Sequence, residues 1–238
     1  MFPLIDDNPT DTRPYITIFL ILASCIIYVF QYFILPEQEL RSFILNWGAT
    51  PRALFSGNAE LTEGPYPFIT LFTSMFMHGS FLHLLGNIMF LWIYGNNIED
   101  SMGHLRFFIF YIIVGISACI IHSLYTKSSG IPMIGASGAI SGILGAYLLL
   151  YPRAKVSTLV FLGFFITVLR LPAGFLIIIW FFIQLFNVYF FDSNVSNVAW
   201  FAHIGGFCSG ILLLHFFKKK HISYFSHGKE GKNKRVIR

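Results

Sequence analysis

Charged residues are scarce in this sequence: Asp, Glu, Lys and Arg make up 11% of its 238 residues. A soluble domain carries about 25%. Hydrophobic residues make up 55% of the chain, and they occur in runs of roughly 20, the length that crosses a hydrocarbon core of roughly 30 Å. The composition therefore excludes an ordinary soluble domain and predicts a polytopic protein of the lipid bilayer.

Cysteine is also rare, and the few present show no functional pattern. Cys25, Cys119 and Cys208 lie in apolar segments, are odd in number and have no paired spacing, so no disulfide framework is expected. His78 and His83 do not have the spacing of a helical metal site, and no HExxH motif occurs. We expect neither a metal nor another cofactor. The acidic, polar start of the chain also lacks the basic region of a cleavable signal peptide.

The apolar runs predict six membrane spans. Backbone groups in lipid must find partners within their own segment, so we expect helices and an all-α, six-transmembrane-helix bundle. The predicted spans are residues 15–35, 82–100, 105–125, 137–151, 171–190 and 199–217. The apolar stretch 156–169 is short for a span, and we interpret it as a connection that dips into the interface or extends the fifth helix.

Basic residues predict the orientation, because cytoplasmic loops carry an excess of Lys and Arg. Arg106, Arg153, Lys155 and the basic C-terminal segment all fall on one side of the six-span scheme. The opposite side receives mostly acidic residues: Glu37, Glu39, Glu60, Glu63 and Asp192. Both termini are therefore expected in the cytoplasm. We interpret the basic tail as a topology anchor at anionic lipid, and we predict no nucleic-acid partner.

The chain is thus predicted to contain a cytoplasmic N-terminal segment, a membrane domain and a basic cytoplasmic tail: 1–14, 15–217 and 218–238. A long outer loop, from Pro36 to about Ser80, joins the first two spans and is rich in aromatic residues and proline. Aromatic side chains favour the headgroup region, so we expect this loop to lie along the outer membrane surface.

Two polar residues in small-residue surroundings are the main functional candidates. Ser137 lies in Gly-Ala-Ser-Gly at the start of span four, and His203 lies in Ala-His-Ile-Gly-Gly near the start of span six. Both starts face the outer side, which predicts a similar depth. Polar groups inside a membrane are rare and usually functional. A serine and a histidine that meet are the pattern of a nucleophile with its general base.

Helical spacing predicts that the two residues can meet. The expected faces are Ser137 with Ser141 and Gly145, and His203 with Gly206 and Gly210. On span four a neighbouring stripe consists of Gly138, Gly142 and Ala146. Small faces let transmembrane helices approach closely. The alternative is that both segments are only packing motifs, with the serine bonded to a carbonyl one turn earlier.

A further polar cluster lies at the outer end of span two. His83 and Asn87 are four residues apart and share a helix face, where both side chains can donate hydrogen bonds to a developing oxyanion. The alternative is that Asn87 joins helices and His83 lies at the interface. Carboxylates are absent near Ser137 and His203 apart from Asp192 in a loop, so the pattern favours a Ser-His dyad over a triad.

These motifs resemble those of the rhomboid intramembrane serine proteases. Residues 135–138 resemble the GxSG motif, residues 202–210 the AHxxGxxxG motif, and residues 78–87 the HxxxxHxxxN pattern of the second span. The resemblance implies that Ser137 is the nucleophile and His203 the general base. It further implies that His83, Asn87 and the backbone N–H of Ser137 form the oxyanion hole.

The resemblance also implies a function: cleavage of transmembrane segments of other proteins near the outer leaflet, without cofactor, with the fifth span gating substrate access. Two positions depart from the family pattern. Ile69 and Thr70 replace a Trp-Arg pair of many members, and Ser141 replaces a tyrosine that stacks on the histidine in some members. Another group must therefore orient His203.

Two other functions are alternatives to proteolysis. A catalytically inactive rhomboid-like protein that binds membrane clients typically lacks the serine or the histidine, whereas both are present here. A transporter is expected to show buried charges or paired broken helices, which the sequence does not suggest. The compact layout favours a bacterial cell membrane, and the sequence leaves the oligomeric state open.

Overall fold

Helices form most of the protein. The computed structural model describes residues 2–56, 67–162, 165–191 and 198–226. Ten α-helices, α1 to α10, occur in these residues: Tyr15–Val29, Glu37–Trp47, Pro51–Ser56, Thr70–Thr73, Phe81–Phe90, Asn96–Met102, His104–Tyr125, Ser137–Leu150, Ala173–Phe190 and Trp200–Phe217. Turns of π-helix follow α1 and α5, and a 3₁₀ turn follows α4: Phe30–Ile34, Leu91–Gly95 and Ser74–Phe76. Three strands, β1 to β3, are Phe2–Asp6, Lys155–Leu162 and Phe165–Pro172.

Four helices in the described residues are long and apolar enough to cross a bilayer: Tyr15–Ile34, α7, α9 and α10. A fifth candidate is a bent pair, Thr70–Phe76 with Phe81–Met102, whose parts meet at 93°. α8 is apolar but has only 14 residues. A mostly helical membrane protein is therefore confirmed, with four to five candidate spans.

A three-stranded antiparallel sheet departs from the all-α prediction. The strand order is β1-β2-β3. Alternate residues of β2 are buried, namely Val156, Thr158 and Val160, and this period of two is that of a strand. All three are β-branched, and such side chains favour strands over helices. The interpretation of 156–169 as an extension of the fifth helix is therefore wrong.

The predicted outer loop contains several short helices. The described part holds α2, α3 and α4, and residues 57–66 lie outside the described residues. Ala49 anchors this region through two backbone hydrogen bonds with Met133, of 3.0 and 2.8 Å. The loop is thereby tied to the segment that leads into α8. Glu60, Glu63, Asp192 and tail residues 227–238, used to predict the orientation, also lie outside the described residues.

Two acidic residues fix the N-terminal region to the helices. The fully buried Glu99 accepts hydrogen bonds from the backbone N–H groups of Ile16 and Thr17, at 2.9 and 2.8 Å. It thereby satisfies free donors at the positive end of α1. Asp6 accepts from Asn97 Nδ2 at 2.8 Å and from the Tyr147 hydroxyl at 2.7 Å, which holds β1 against α6 and α8.

Glycines place α8 and α10 in backbone contact. A Cβ added at Gly206 would overlap the carbonyl oxygen of Gly138, and one added at Gly210 would overlap that of Gly142. Gly145 is closed off in the same way by the carbonyl of Phe207. On α10 the contact uses Gly206 and Gly210 of the expected face, whereas on α8 it uses Gly138 and Gly142 of the neighbouring stripe together with Gly145. The two helices thereby pack without intervening side chains.

We expect Gly206→Ala and Gly210→Ala to lower the free energy of unfolding by about 1–3 kcal/mol each, because the added methyl must push the helices apart. Gly86→Ala is the matched control, since its added methyl group would meet no heavy atom within 4 Å beyond the adjacent residues and the backbone of its own helix. The control should be neutral or stabilising by up to about 1 kcal/mol, as for glycine replacement within a helix. Unfolding in detergent measures the difference, and wild-type stability of Gly206→Ala would contradict the close contact.

Stability should also depend on the protonation of Asp6. Burial is the main cause that raises the pKa of Asp6 from 3.8 to about 6, so ionisation of its carboxyl opposes folding. The cost is absent below pH 3.8, grows up to about pH 6 and is constant above. Wild-type stability minus that of Asp6→Asn should therefore fall as the pH rises through this window. A difference that is independent of pH would refute the effect of burial.

Candidate active site

The packing of α8 and α10 brings Ser137 and His203 together. Ser137 Oγ lies 2.9 Å from His203 Nε2. Ser137 is the first residue of α8, so its hydroxyl lies where the free N–H groups and positive dipole end of that helix favour negative charge. His203 is one turn into α10. Both side chains are partly buried.

The back-bonding proposed in the packing interpretation is made by another serine. Ser141 donates its hydroxyl to the carbonyl oxygen of Ser137 at 2.6 Å. Ser141 is fully buried and lies one turn deeper in α8. Ser141 is thus a packing residue, whereas the hydroxyl of Ser137 faces the imidazole of His203.

Gln184 is the partner of His203 that the sequence reasoning missed. Its Oε1 lies 2.8 Å from His203 Nδ1. The rings of Trp180 and Trp200 lie beside the imidazole, each with its centroid 5.9 Å away. A glutamine within the fifth apolar span was a signal, because intramembrane polar groups are often functional. Asn187 in the same span carries the same signal, so the sequence did not single out Gln184.

His83 and Asn87 lie beside the segment that leads into α8. A Cβ built on Gly135, two residues before Ser137, would lie 2.8 Å from His83 Nε2 and 3.7 Å from Asn87 Nδ2. Gly135 also has φ of 127°, which side chains rarely tolerate. A glycine is required here for both reasons, and it lets the two polar side chains approach Ser137.

His78 lies behind these two residues and supports Asn87. It is fully buried, and its Nε2 lies 2.9 Å from Asn87 Nδ2. Its backbone N–H donates to Gln31 Oε1 at 3.2 Å. His78 therefore fixes the amide of Asn87 and does not itself line the cavity.

A cavity of about 700 Å³ joins these groups, a volume within the range of ligand sites. Its polar lining residues are Ser80, His83, Asn87, His122, Ser129, Ser137 and His203. A second, mainly apolar cavity of about 320 Å³ shares Phe90, Leu144 and Trp180 with the first and extends along α9. A cavity that carries the polar side chains of the site thus adjoins a mainly apolar one.

The described residues contain no cluster of three or more His, Cys, Asp or Glu side chains that could hold a metal ion. Glu99 is engaged at the start of α1, and Asp192 lies outside the described residues. Both ring nitrogens of His203 have partners, Ser137 and Gln184. A hydroxyl bonded to an imidazole can attack a carbonyl while the imidazole takes the proton.

Comparison with known proteins agrees with these motifs. A Rhomboid domain family model matches residues 66–220. RHOMBOID-like protein 1 of Arabidopsis thaliana is 32% identical over 150 residues, which cover 60% of this chain and 33% of that protein. Rhomboid protease GluP of Bacillus subtilis is 31% identical over 191 residues, 76% of this chain and 33% of that protein.

Rhomboid protein 1, mitochondrial, of Saccharomyces cerevisiae is 34% identical over 97 residues, which cover 39% of this chain and 28% of that protein. The chain thus spans about a third of the length of these relatives. The family model covers well over half of the chain and includes both Ser137 and His203. The protein is an integral membrane protein that belongs to the rhomboid family.

Proposed function

We propose that this protein is an intramembrane serine endopeptidase that cleaves transmembrane segments of other membrane proteins near the outer leaflet. The observation that carries the proposal is the 2.9 Å contact between Ser137 Oγ and His203 Nε2 in the wall of a cavity that other polar side chains also line. Membership of a family that includes a protease, GluP, supports it.

The chemistry follows from the dyad. Ser137 Oγ attacks the scissile carbonyl carbon while His203 Nε2 takes the hydroxyl proton, and His203 then protonates the departing amine. An acyl-enzyme on Ser137 remains. Water activated by His203 then attacks the ester carbonyl and releases the second product, which restores the hydroxyl of Ser137. The polar lining of the cavity suits it to hold this water.

The oxyanion is proposed to lie between His83, Asn87 and the backbone N–H of Ser137. The approach of His83 Nε2 and Asn87 Nδ2 to Gly135 supports this site, because it brings both side-chain donors close to the segment that leads into Ser137. Such donors stabilise the charge that develops on the carbonyl oxygen during attack. The partial charge at the start of α8 acts in the same direction.

We further propose a six-span topology in which α8 is the short fourth span. The segment that follows α10 lies beside the C-terminal ends of α6 and α8. Lys219 N–H donates to Ser101 O of α6 at 2.9 Å, and Phe225 N–H donates to Leu149 O of α8 at 2.8 Å. Arg106 and Lys155 belong to the same end of the chain's helices. The excess of positive charge supports a cytoplasmic location for this end and for both termini.

We propose the same division of the chain as the sequence predicts: a cytoplasmic N-terminal segment, a membrane domain and a basic cytoplasmic tail, at residues 1–14, 15–217 and 218–238. Location in a bacterial cell membrane stays a prediction, because the relatives come from a plant, a yeast and a bacterium. For the substrate, the apolar cavity along α9 suits apolar side chains of a transmembrane segment. The larger cavity, which Ser137 and His203 line, suits the stretch of that segment that unwinds for cleavage.

Ser137→Ala and His203→Ala should each abolish cleavage of a model transmembrane substrate in detergent or liposomes, because each removes one half of the dyad. Ser117→Ala and His215→Ala are matched controls. Ser117 is bonded to the Ile113 carbonyl at 2.8 Å, and His215 lies on α10 with an exposed side chain. Both controls should cleave at the wild-type rate. Cleavage by Ser137→Ala would disprove the assignment.

A fluorophosphonate probe separates the protease from the client-binding alternative. Wild-type protein should be labelled at Ser137, because His203 activates that hydroxyl, and mass spectrometry should locate the adduct there. His203→Ala should lose the labelling and His215→Ala should keep it. If folded wild-type protein is not labelled in any detergent or in liposomes, an inactive binder of membrane clients is the better function.

Asn87→Ala should lower kcat by about 10²–10³-fold with a small change in KM, as for other lost oxyanion donors. Asn46→Ala is the control, since its amide bonds only to Ser42 Oγ at 3.3 Å among the contacts of the described residues. Thermal unfolding of each variant separates lost catalysis from lost structure. A folded Asn87→Ala protein with wild-type kcat would exclude Asn87 from the oxyanion site.

A further inference from the structure

Gln184 is buried in the second half of α9, where the other residues are exposed or only partly buried. The structure describes every residue of α9, and beyond Ile177 only Gln184 is buried, with 4% of its surface exposed. The neighbouring Phe182 and Phe186 are 64% and 56% exposed. The buried amide needs hydrogen-bond partners, because a buried polar group is costly unless it is bonded.

The orientation of the Gln184 amide follows from its two partners. Its Nε2 donates to the carbonyl oxygen of Trp180 at 2.9 Å, and that oxygen can only accept. The opposite orientation would set two oxygen atoms against each other. The amide oxygen, Oε1, must therefore face His203 Nδ1, at 2.8 Å.

This orientation determines the tautomer of His203. Because Oε1 only accepts, His203 Nδ1 must carry the hydrogen. In the neutral imidazole the other nitrogen, Nε2, then has a free lone pair. His203 Nε2 lies 2.9 Å from Ser137 Oγ, so its lone pair can accept the hydroxyl proton as a general base does.

We propose that Gln184 is the positioning residue of the dyad: it holds His203 in the Nδ1–H tautomer and directs Nε2 at Ser137. This inference rests on the proposed serine protease function. Gln184 then takes the orienting role that a carboxylate has in a triad, without placing a further charge in the membrane, where charge is costly. Gln184 also orients His203, the role that a stacking tyrosine at the position of Ser141 has in some family members.

The hydrogen bond between Gln184 and His203 also makes the geometry of the dyad depend on the position of α9. Gln184 is on α9, whereas Ser137 and His203 are on α8 and α10. If α9 moves away from α10, His203 loses its acceptor and is free to change tautomer or rotate. The reactive geometry is thus complete only while α9 is packed against α10.

Gln184→Met keeps the length of the side chain and removes its acceptor. We expect kcat for a transmembrane substrate to fall about ten-fold or more, the effect of about 1.4 kcal/mol, with KM within two-fold of wild type. Gln184→Glu in its protonated form keeps a donor for the Trp180 carbonyl and an acceptor for His203 Nδ1, and it should restore most of kcat. Asn187→Met, on the same helix, is the control, because Ser137 and Gln184 already occupy both ring nitrogens of His203.

A second measurement does not depend on cleavage. ¹⁵N spectra of protein labelled at its 8 histidines, with the His203 signals assigned by their loss in His203→Ala, report the tautomer. Wild type and Asn187→Met should show Nδ1 protonated and Nε2 unprotonated. Gln184→Met should show a substantial population of the Nε2–H form.

The outcomes separate this inference from the proposed function. A Gln184→Met protein with kcat within two-fold of wild type, or with an unchanged His203 tautomer, overturns the role of Gln184 while the protease assignment stands. If wild type neither cleaves nor reacts with fluorophosphonate, the proposed function fails, and the spectra still decide whether Gln184 sets the tautomer. If Gln184→Glu does not fold, the Met variant and its spectra give the decision.

Discussion

The backbone contact between α8 and α10 is the constraint on which the rest of the structure depends. Gly206 and Gly210 lie against the carbonyl groups of Gly138 and Gly142, so the two helices approach as closely as their backbones allow. That distance is what places Ser137 Oγ 2.9 Å from His203 Nε2. Larger side chains at these glycine positions would separate the helices. The Ser137 hydroxyl and the His203 imidazole would then lose their mutual hydrogen bond in an apolar environment.

Several polar side chains at the site are linked by hydrogen bonds. Ser137, His203 and Gln184 form one chain of hydrogen bonds across three helices, and His78 with Asn87 forms another. Each bond offsets the cost of removing a polar atom from water. The same bonds determine direction: an amide fixed by a carbonyl decides which imidazole nitrogen carries hydrogen. Stability and reactivity therefore depend on the same contacts.

Much of the site was predictable because its signals are local. Ser137 and His203 were evident as polar residues among small ones, and the spacing of His83 and Asn87 placed both on one helix face. The structure brings the first pair together and sets the second pair beside Gly135. The sheet was less evident, because an apolar stretch such as 156–169 looks alike in a buried strand and a helix until its period of two is recognised.

The sequence by itself determined the class of protein, the positions of its apolar helices and the residues that could react. Hydrophobicity and helical period are properties of neighbouring residues, which is why they could be read along the chain. Only the tertiary structure decided that Gln184, rather than Asn187, meets His203 and that β1 pairs with β2. These contacts depend on how separate elements rotate and shift against one another, and no local pattern specifies that.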